Sequence, residues 1–203
     1  MRIVLAFAAL VFPAVAASAQ GESASSLSSS LQKQVAEDGL LVWSAKDPPS
    51  WKDFRGPAKR GTTTAAQTES GVTYLIQCRQ SRLAFAVLAT FSPKTSWVRP
   101  DIPGNSVASR QSLRHERTHF DITELFARRL RRALAGAERV CPGREDEVRR
   151  LFDRLAEDSG DEQKRYDHDS AHGMAREAQS RWERNVRASL DSLERYAAPI
   201  GRE

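Results

Sequence analysis

Only two cysteines occur in the 203 residues, Cys78 and Cys141, and neither sits in a Cys-x-x-Cys pair. A thiolate metal site is therefore poorly supplied, and the pair instead predicts one structural disulfide in an oxidising compartment. Long apolar runs are equally scarce. The one such run, 3–16, is interrupted by Pro13, preceded by Arg2 and followed by Ala17-Ser18-Ala19. It is too short to span a bilayer and has the layout of a secretory signal peptide, 1–19, cleaved before Gln20. No cysteine follows the cleavage site to carry a lipid, and no later stretch is apolar enough for stable membrane insertion. The expected location is the periplasm or the outside of the cell.

A basic patch interleaved with aromatics is missing too. The formal charge is +5, or about +4 once Arg2 is removed, with a sequence pI near 9.5. The arginines are scattered along helices among acids, as in Arg128, Arg129, Arg131 and Arg132 before Glu138. Stacking platforms for nucleic acid need a different arrangement, so nucleic acid is not an expected partner. There is no internal repeat, and the length suits one domain with its own core.

What is present changes period once along the chain. Residues 20–38 are rich in Ser, Ala and Gln, with Ser23–Ser30 reading as a flexible lead-in, and 39–203 as a single domain. Val72, Tyr74 and Ile76, then Leu83, Phe85, Val87, Ala89 and Phe91, alternate with period two and predict an antiparallel hairpin. Leu40–Ala45 and Gly61–Gln67 are further strand candidates, and Pro48–Pro57 reads as an ordered loop. From Ser106 to Ala135 the pattern is helical, with Gly136 as C-cap, and His115, His119, Ile122, Phe126, Leu130 and Ala133 share one face. A second helix is expected over 145–157, a polar loop over 158–173, and a last helix over 174–196. The fold class is α+β: a small N-terminal antiparallel sheet, then a zincin-like helical part.

His115-Glu116-Arg117-Thr118-His119 is a His-Glu-x-x-His motif. Residues four apart are neighbours on a helix, so both imidazoles reach one zinc ion, while Glu116 is displaced around the helix. From there Glu116 can act as general base toward water and hand the proton to a leaving amine. A third ligand is needed for zinc. The extended form of the motif is absent, because Ile122 and Leu125 stand where Gly and His belong. Tyr166–Gly173 is the obvious source, with His172, His168 and Asp167 as zinc-competent groups and a helical glutamate as a further option. The alternative for this stretch is a polar helix-entry loop in which Asp169 or Ser170 simply caps the last helix.

These residues resemble the predicted secreted zinc-dependent proteases of bacteria, over about Leu40–Leu193. The resemblance rests on Trp51-Lys52-Asp53-Phe54-Arg55-Gly56, Ser96-Trp97, Arg114–Ile122, Tyr166-Asp167, His172-Gly173, Gln179 and Trp182. Ser170, in place of threonine, and Thr118 are mild departures. The resemblance favours His172 over His168 as third ligand. Asp121 and Asp167 are candidates to accept the second N–H of a ligating histidine, and Tyr166 to donate to a developing oxyanion. Trp51, Asp53, Phe54 and Trp97 are read as packing residues, with Asp53 fixing a turn.

The expected function is a zinc metallopeptidase acting on protein or peptide substrates. Two alternatives stand beside it: a zinc amidase of cell-wall amides, and a non-catalytic envelope protein whose zinc is closed by all four histidines.

Overall fold

The computed structural model describes residues 24–79, 82–137 and 145–197. The signal-peptide segment, the expected cleavage site and Cys141 lie outside these residues. Cys78 is disulfide-bonded.

The hairpin forms where the period-two pattern places it. Strand β3 (Ser70–Arg79) pairs antiparallel with β4 (Arg82–Phe91), with Tyr74 opposite Val87. The Leu40–Ala45 candidate shrinks to β1 (Leu41–Val42), which pairs with the far edge of β4 and gives the order β1-β4-β3. The Gly61–Gln67 candidate shrinks to β2 (Ala66–Gln67), which pairs with β5 (Trp97–Val98) in a separate two-stranded sheet. Between them, Trp51–Asp53 forms a 3-10 turn. Asp53 fixes it as expected, its Oδ2 accepting from the Ser50 amide at 2.8 Å. Phe54 and Trp97 are buried packing residues.

Strand β4 is buried on both faces, which explains its unbroken apolar run. Phe85, Val87, Ala89 and Phe91 join the large core. Ala86 and Leu88, on the other face, meet Leu27, Leu31 and Val35. Those three residues belong to a helix, α1 (Ala24–Glu37), and here the structure departs from the flexible lead-in read from the sequence. The four-residue spacing of Leu27, Leu31 and Val35 puts an apolar stripe on an otherwise Ser- and Gln-rich helix. Burying each such side chain is worth about 1.5–3 kcal/mol.

The long helix α2 (Val107–Ala135) has the expected bounds. The Ser106 side chain caps it by accepting from the Ser109 amide, and Gly136 ends it. Its Phe120, Phe126, Ala127, Leu130 and Leu134 pack with the sheet and with Val148, Phe152 and Ala156 of α3. Its Ile122 and Leu125 pack with Val186, Leu190 and Leu193 beyond.

Helix α3 (Glu145–Asp169) runs twelve residues past the expected end. Its buried stripe, Val148, Phe152 and Ala156, continues as Ser159, Gln163, Tyr166, Asp167 and Ser170. Helical spacing is kept while the chemistry turns polar, so hydrophobic periodicity stops short. Its end is a Schellman arrangement: the His172 amide donates to the Asp167 carbonyl at 2.8 Å and the Ala171 amide to His168 at 3.1 Å. Alanine holds the left-handed position where glycine is usual, with φ 47°. The last helix, α4 (Arg176–Ser192), is shorter than expected and is followed by a 3-10 turn, Glu194–Tyr196. Neither Asp169 nor Ser170 caps it. Ser170 Oγ donates back to the Tyr166 carbonyl at 2.7 Å, and Asp169 accepts from Trp182 Nε1 at 3.2 Å.

One buried ion network locks α2 to its neighbours. Glu124, 2% exposed, accepts from Arg128 Nε and Arg131 Nη1, each at 2.9 Å. Arg131 also donates to the Val87 carbonyl of β4 and the Tyr196 carbonyl, and Arg128 to the Leu190 carbonyl of α4. Substituting Glu124→Gln takes the buried carboxylate from Arg131 and leaves Arg128 with only the exposed Glu194, and should cost about 3–5 kcal/mol. Urea denaturation measures this, and a loss below about 1 kcal/mol would show that the network contributes little.

Candidate metal centre

Three elements bring the site together. Helix α2 contributes His115, Glu116 and His119, the end of α3 contributes Gln163, Tyr166 and Asp167, and the turn after α3 contributes His172 and Gly173. As the i,i+4 spacing requires, His115 and His119 face the same way, and their Nε2 atoms lie 3.1 Å apart. Asp167 Oδ1 lies 3.1 Å from His115 Nε2 and 3.0 Å from His119 Nε2. His172 Nδ1 approaches the same oxygen at 3.4 Å. The donor atoms of His115, Asp167 and His172 all fall within 4.8 Å of one another.

Which nitrogen carries the proton follows from two glutamines. The Gln163 amide group donates to the His119 carbonyl at 2.9 Å and to Thr123 Oγ1, so its Oε1 must accept, and it accepts from His119 Nδ1 at 2.6 Å. The Gln179 amide group donates to Glu183 at 2.8 Å, and its Oε1 accepts from His115 Nδ1 at 3.2 Å. Both Nδ1 atoms are therefore donors, and both Nε2 atoms present lone pairs. Two imidazole lone pairs and one carboxylate oxygen converge with no donor among them. Such a triangle calls for a cation, either a shared proton or a metal. Two imidazoles, a carboxylate and a third imidazole at the rim form a donor set suited to zinc.

The electrostatics agree. Burial alone would raise Asp167, but hydrogen bonds and positive charge from the two rings in their protonated form hold it well below the usual carboxylate range. Burial pushes His119 down, yet Asp167 and Glu116 outweigh it and bring the net shift above the ordinary value. The pocket attracts positive charge to the space between the rings. Glu116 sits one residue along the helix, 5% exposed, and its Oε2 has no hydrogen-bond partner among the described residues. A buried carboxylate oxygen without a donor costs energy and marks a place where a ligand or water belongs.

Several expected roles change. Tyr166 is fully buried; its hydroxyl donates to Gln179 Oε1 at 2.7 Å and its ring stacks on His115 at 4.7 Å. Burial pushes its hydroxyl well above the ordinary value, so it buttresses His115 and does not face a substrate oxyanion. Asp121 accepts from Trp43 Nε1 at 2.8 Å and supports neither histidine; burial raises its pKa. Asp167 lies at the centre of the cluster, and the glutamines take the supporting role. His168 points outward, with its side chain 89% exposed beside Asp169, so the four histidines do not close a common site. His172 does reach the cluster, as expected.

The turn carrying His172 is unusual. Ala171, His172 and Gly173 all have positive φ, at 47°, 54° and 83°. For the two non-glycine residues this costs on the order of 1–3 kcal/mol each unless the surroundings enforce it. A Cβ on Gly173 would stand 3.0 Å from His115 Cβ and 3.1 Å from Cγ, so the backbone presses directly against the His115 ring. Gln111 reinforces this by donating to the Gly173 carbonyl.

Gln163 was not singled out by sequence reading, and Gln179 carried no assigned role. The available signal was spacing: Gln163 lies one turn before Asp167 on α3, visible only if the helix is seen to continue.

A family model described as "bacterial protein of unknown function (DUF922)" matches residues 44–173. No curated protein and no solved structure matches. The matched span contains His115, Glu116, His119, Asp167 and His172 and ends on Gly173.

Substituting Gln163→Ala or Gln179→Ala removes the acceptor that orients one imidazole. Each should weaken zinc binding by about 10–100-fold while leaving the fold intact. Competition titration with a chromogenic chelator checks this, and wild-type affinity in both variants would refute the orienting role.

Proposed function

We propose, for a chain that belongs to this bacterial family of unknown function, that it is an exported zinc-dependent hydrolase cleaving peptide bonds. The observation that carries the reading is the acceptor triangle of His115, His119 and Asp167 beside the unpartnered Oε2 of Glu116. His115, His119 and Asp167 would hold the metal, with His172 reaching the same carboxylate. Bound there, zinc supplies Lewis acidity toward a carbonyl and makes water more acidic.

The chain's own residues divide the rest of the work. Gln163 and Gln179 hold both imidazoles with Nε2 inward, and Tyr166 packs behind His115. Glu116 takes a proton from the attacking water on Oε2 and delivers it to the departing amine. Among the described residues strand β3 has a strand partner on one side only and offers main-chain groups to an extended peptide. Its approach is tied to α2, with Thr68 Oγ1 donating to the Glu116 carbonyl at 3.1 Å and Ser70 meeting Thr123 at 2.7 Å. The leader-like 1–19 segment and the disulfide-bonded Cys78 support export. Among the described residues no helix is long and apolar enough to cross a membrane.

A second reading has one observation in its favour. His115, His119, Asp167 and His172 supply four donors, and four protein ligands are what a purely structural zinc site uses. The duties of Glu116 separate the two readings. Glu116→Gln should keep zinc and fold yet lower turnover of a peptide library by about 10²–10⁴, with chelation abolishing wild-type activity and zinc restoring it. Wild-type turnover in Glu116→Gln would exclude the catalytic role, and cleavage of muropeptides alone would move the substrate to cell-wall amides.

A further inference from the structure

We propose that His172 is a removable cap on the metal centre, not one of its anchoring ligands, so that the resting protein works below its full activity. This rests on the metal-site reading above and adds its regulation.

The four donors are not equivalent. His115 and Asp167 are buried and the His119 side chain is only 13% exposed, whereas the His172 side chain is 59% exposed. Each buried imidazole has an orienting acceptor on Nδ1, from Gln179 and Gln163 respectively. Among the described residues no hydrogen bond orients the His172 ring from behind; its ion-pair contact is Asp167 at 3.4 Å, with a His115 nitrogen within 4.8 Å. The three buried donors stand 3.0–3.1 Å from one another, closer than His172 comes.

The backbone differs as well. The buried donors ride on α2 and α3, but His172 follows the helix end on a turn with two consecutive non-glycine residues at positive φ. A residue with a strained backbone, an exposed ring and no supporting acceptor loses little by swinging outward. The three buried donors are enough to retain zinc, because catalytic sites use three protein ligands and leave one position open. With His172 in, that position is filled; with His172 out, a carbonyl, carboxylate or hydroxamate oxygen can take it.

The test compares wild type, His172→Ala, Asp167→Asn and His119→Ala, each checked for fold by circular dichroism. Zinc affinity is measured by competition, and the visible spectrum of the cobalt-substituted protein is titrated with acetohydroxamate. The proposal expects His172→Ala to bind zinc within about tenfold of wild type, while loss of an anchoring ligand exceeds the roughly 100-fold upper end seen for orienting groups. His119→Ala supplies that reference should Asp167→Asn not fold. Acetohydroxamate should perturb the His172→Ala cobalt spectrum at a concentration at least about tenfold lower than in wild type, and peptide turnover should rise. Zinc loss in His172→Ala equal to that in His119→Ala overturns the cap and makes His172 an anchor, leaving the hydrolase reading intact. Equal acetohydroxamate sensitivity in wild type and His172→Ala also overturns it. Failure of wild type to bind zinc or cobalt defeats the underlying reading and the cap together.

Discussion

Two imidazole Nε2 atoms and one carboxylate oxygen, held 3.0–3.1 Å apart, set the terms for the rest of this molecule. With both rings neutral such an arrangement repels itself, so the fold must hold it and positive charge, a shared proton or a metal, must complete it. The holding is visible in every direction. Gln163 and Gln179 fix the outer nitrogens, Tyr166 stacks behind one ring, and Gly173 admits the turn that closes over it. A side chain in place of Gly173 would crowd His115 and strain a backbone at φ 83°, and a non-amide in place of either glutamine would free a ring to change tautomer.

That demand propagates into the scaffold. The second half of α3 is polar on its buried face because it packs against these groups instead of a hydrocarbon core. Helix α2 carries two of the donors and must stay in position, so it is gripped twice. Phe120, Phe126 and Leu130 bury it against the sheet and α3, and the Glu124–Arg128–Arg131 network ties it to β4 and to the end of α4. A rigid two-sided grip gives a centre whose donors are in place before any ligand arrives, which is the structural requirement for preorganised chemistry.

Where local chemistry and global packing agree, the sequence was readable. The β3–β4 hairpin follows from alternation, and α2 from its stripe, its Ser106 cap and Gly136. The paired histidines and Glu116 follow from spacing on that helix; the ligand-rich stretch offered His172, His168 and Asp167 together, and the family resemblance favoured His172. Legibility ended where polar residues do a structural job. Helix α1 hides Leu27, Leu31 and Val35 among serines, so its composition imitates a linker. Helix α3 continues through Ser159, Gln163 and Asp167, which no apolar period reveals, and it stops at Ala171, where glycine would have announced the end. The misassigned roles of Tyr166 and Asp121 share one cause: neighbours such as Gln179 and Trp43 come from distant parts of the chain.

The central claim is that the buried triangle is a metal site approached through Nε2 of both helix histidines. Anomalous diffraction at the zinc edge from crystals of the zinc-loaded protein tests it directly. The account predicts one strong peak between His115 Nε2, His119 Nε2 and Asp167 Oδ1. A peak at an Nδ1 atom or beside the exposed His168, or no peak at the cluster in zinc-loaded crystals, would contradict it.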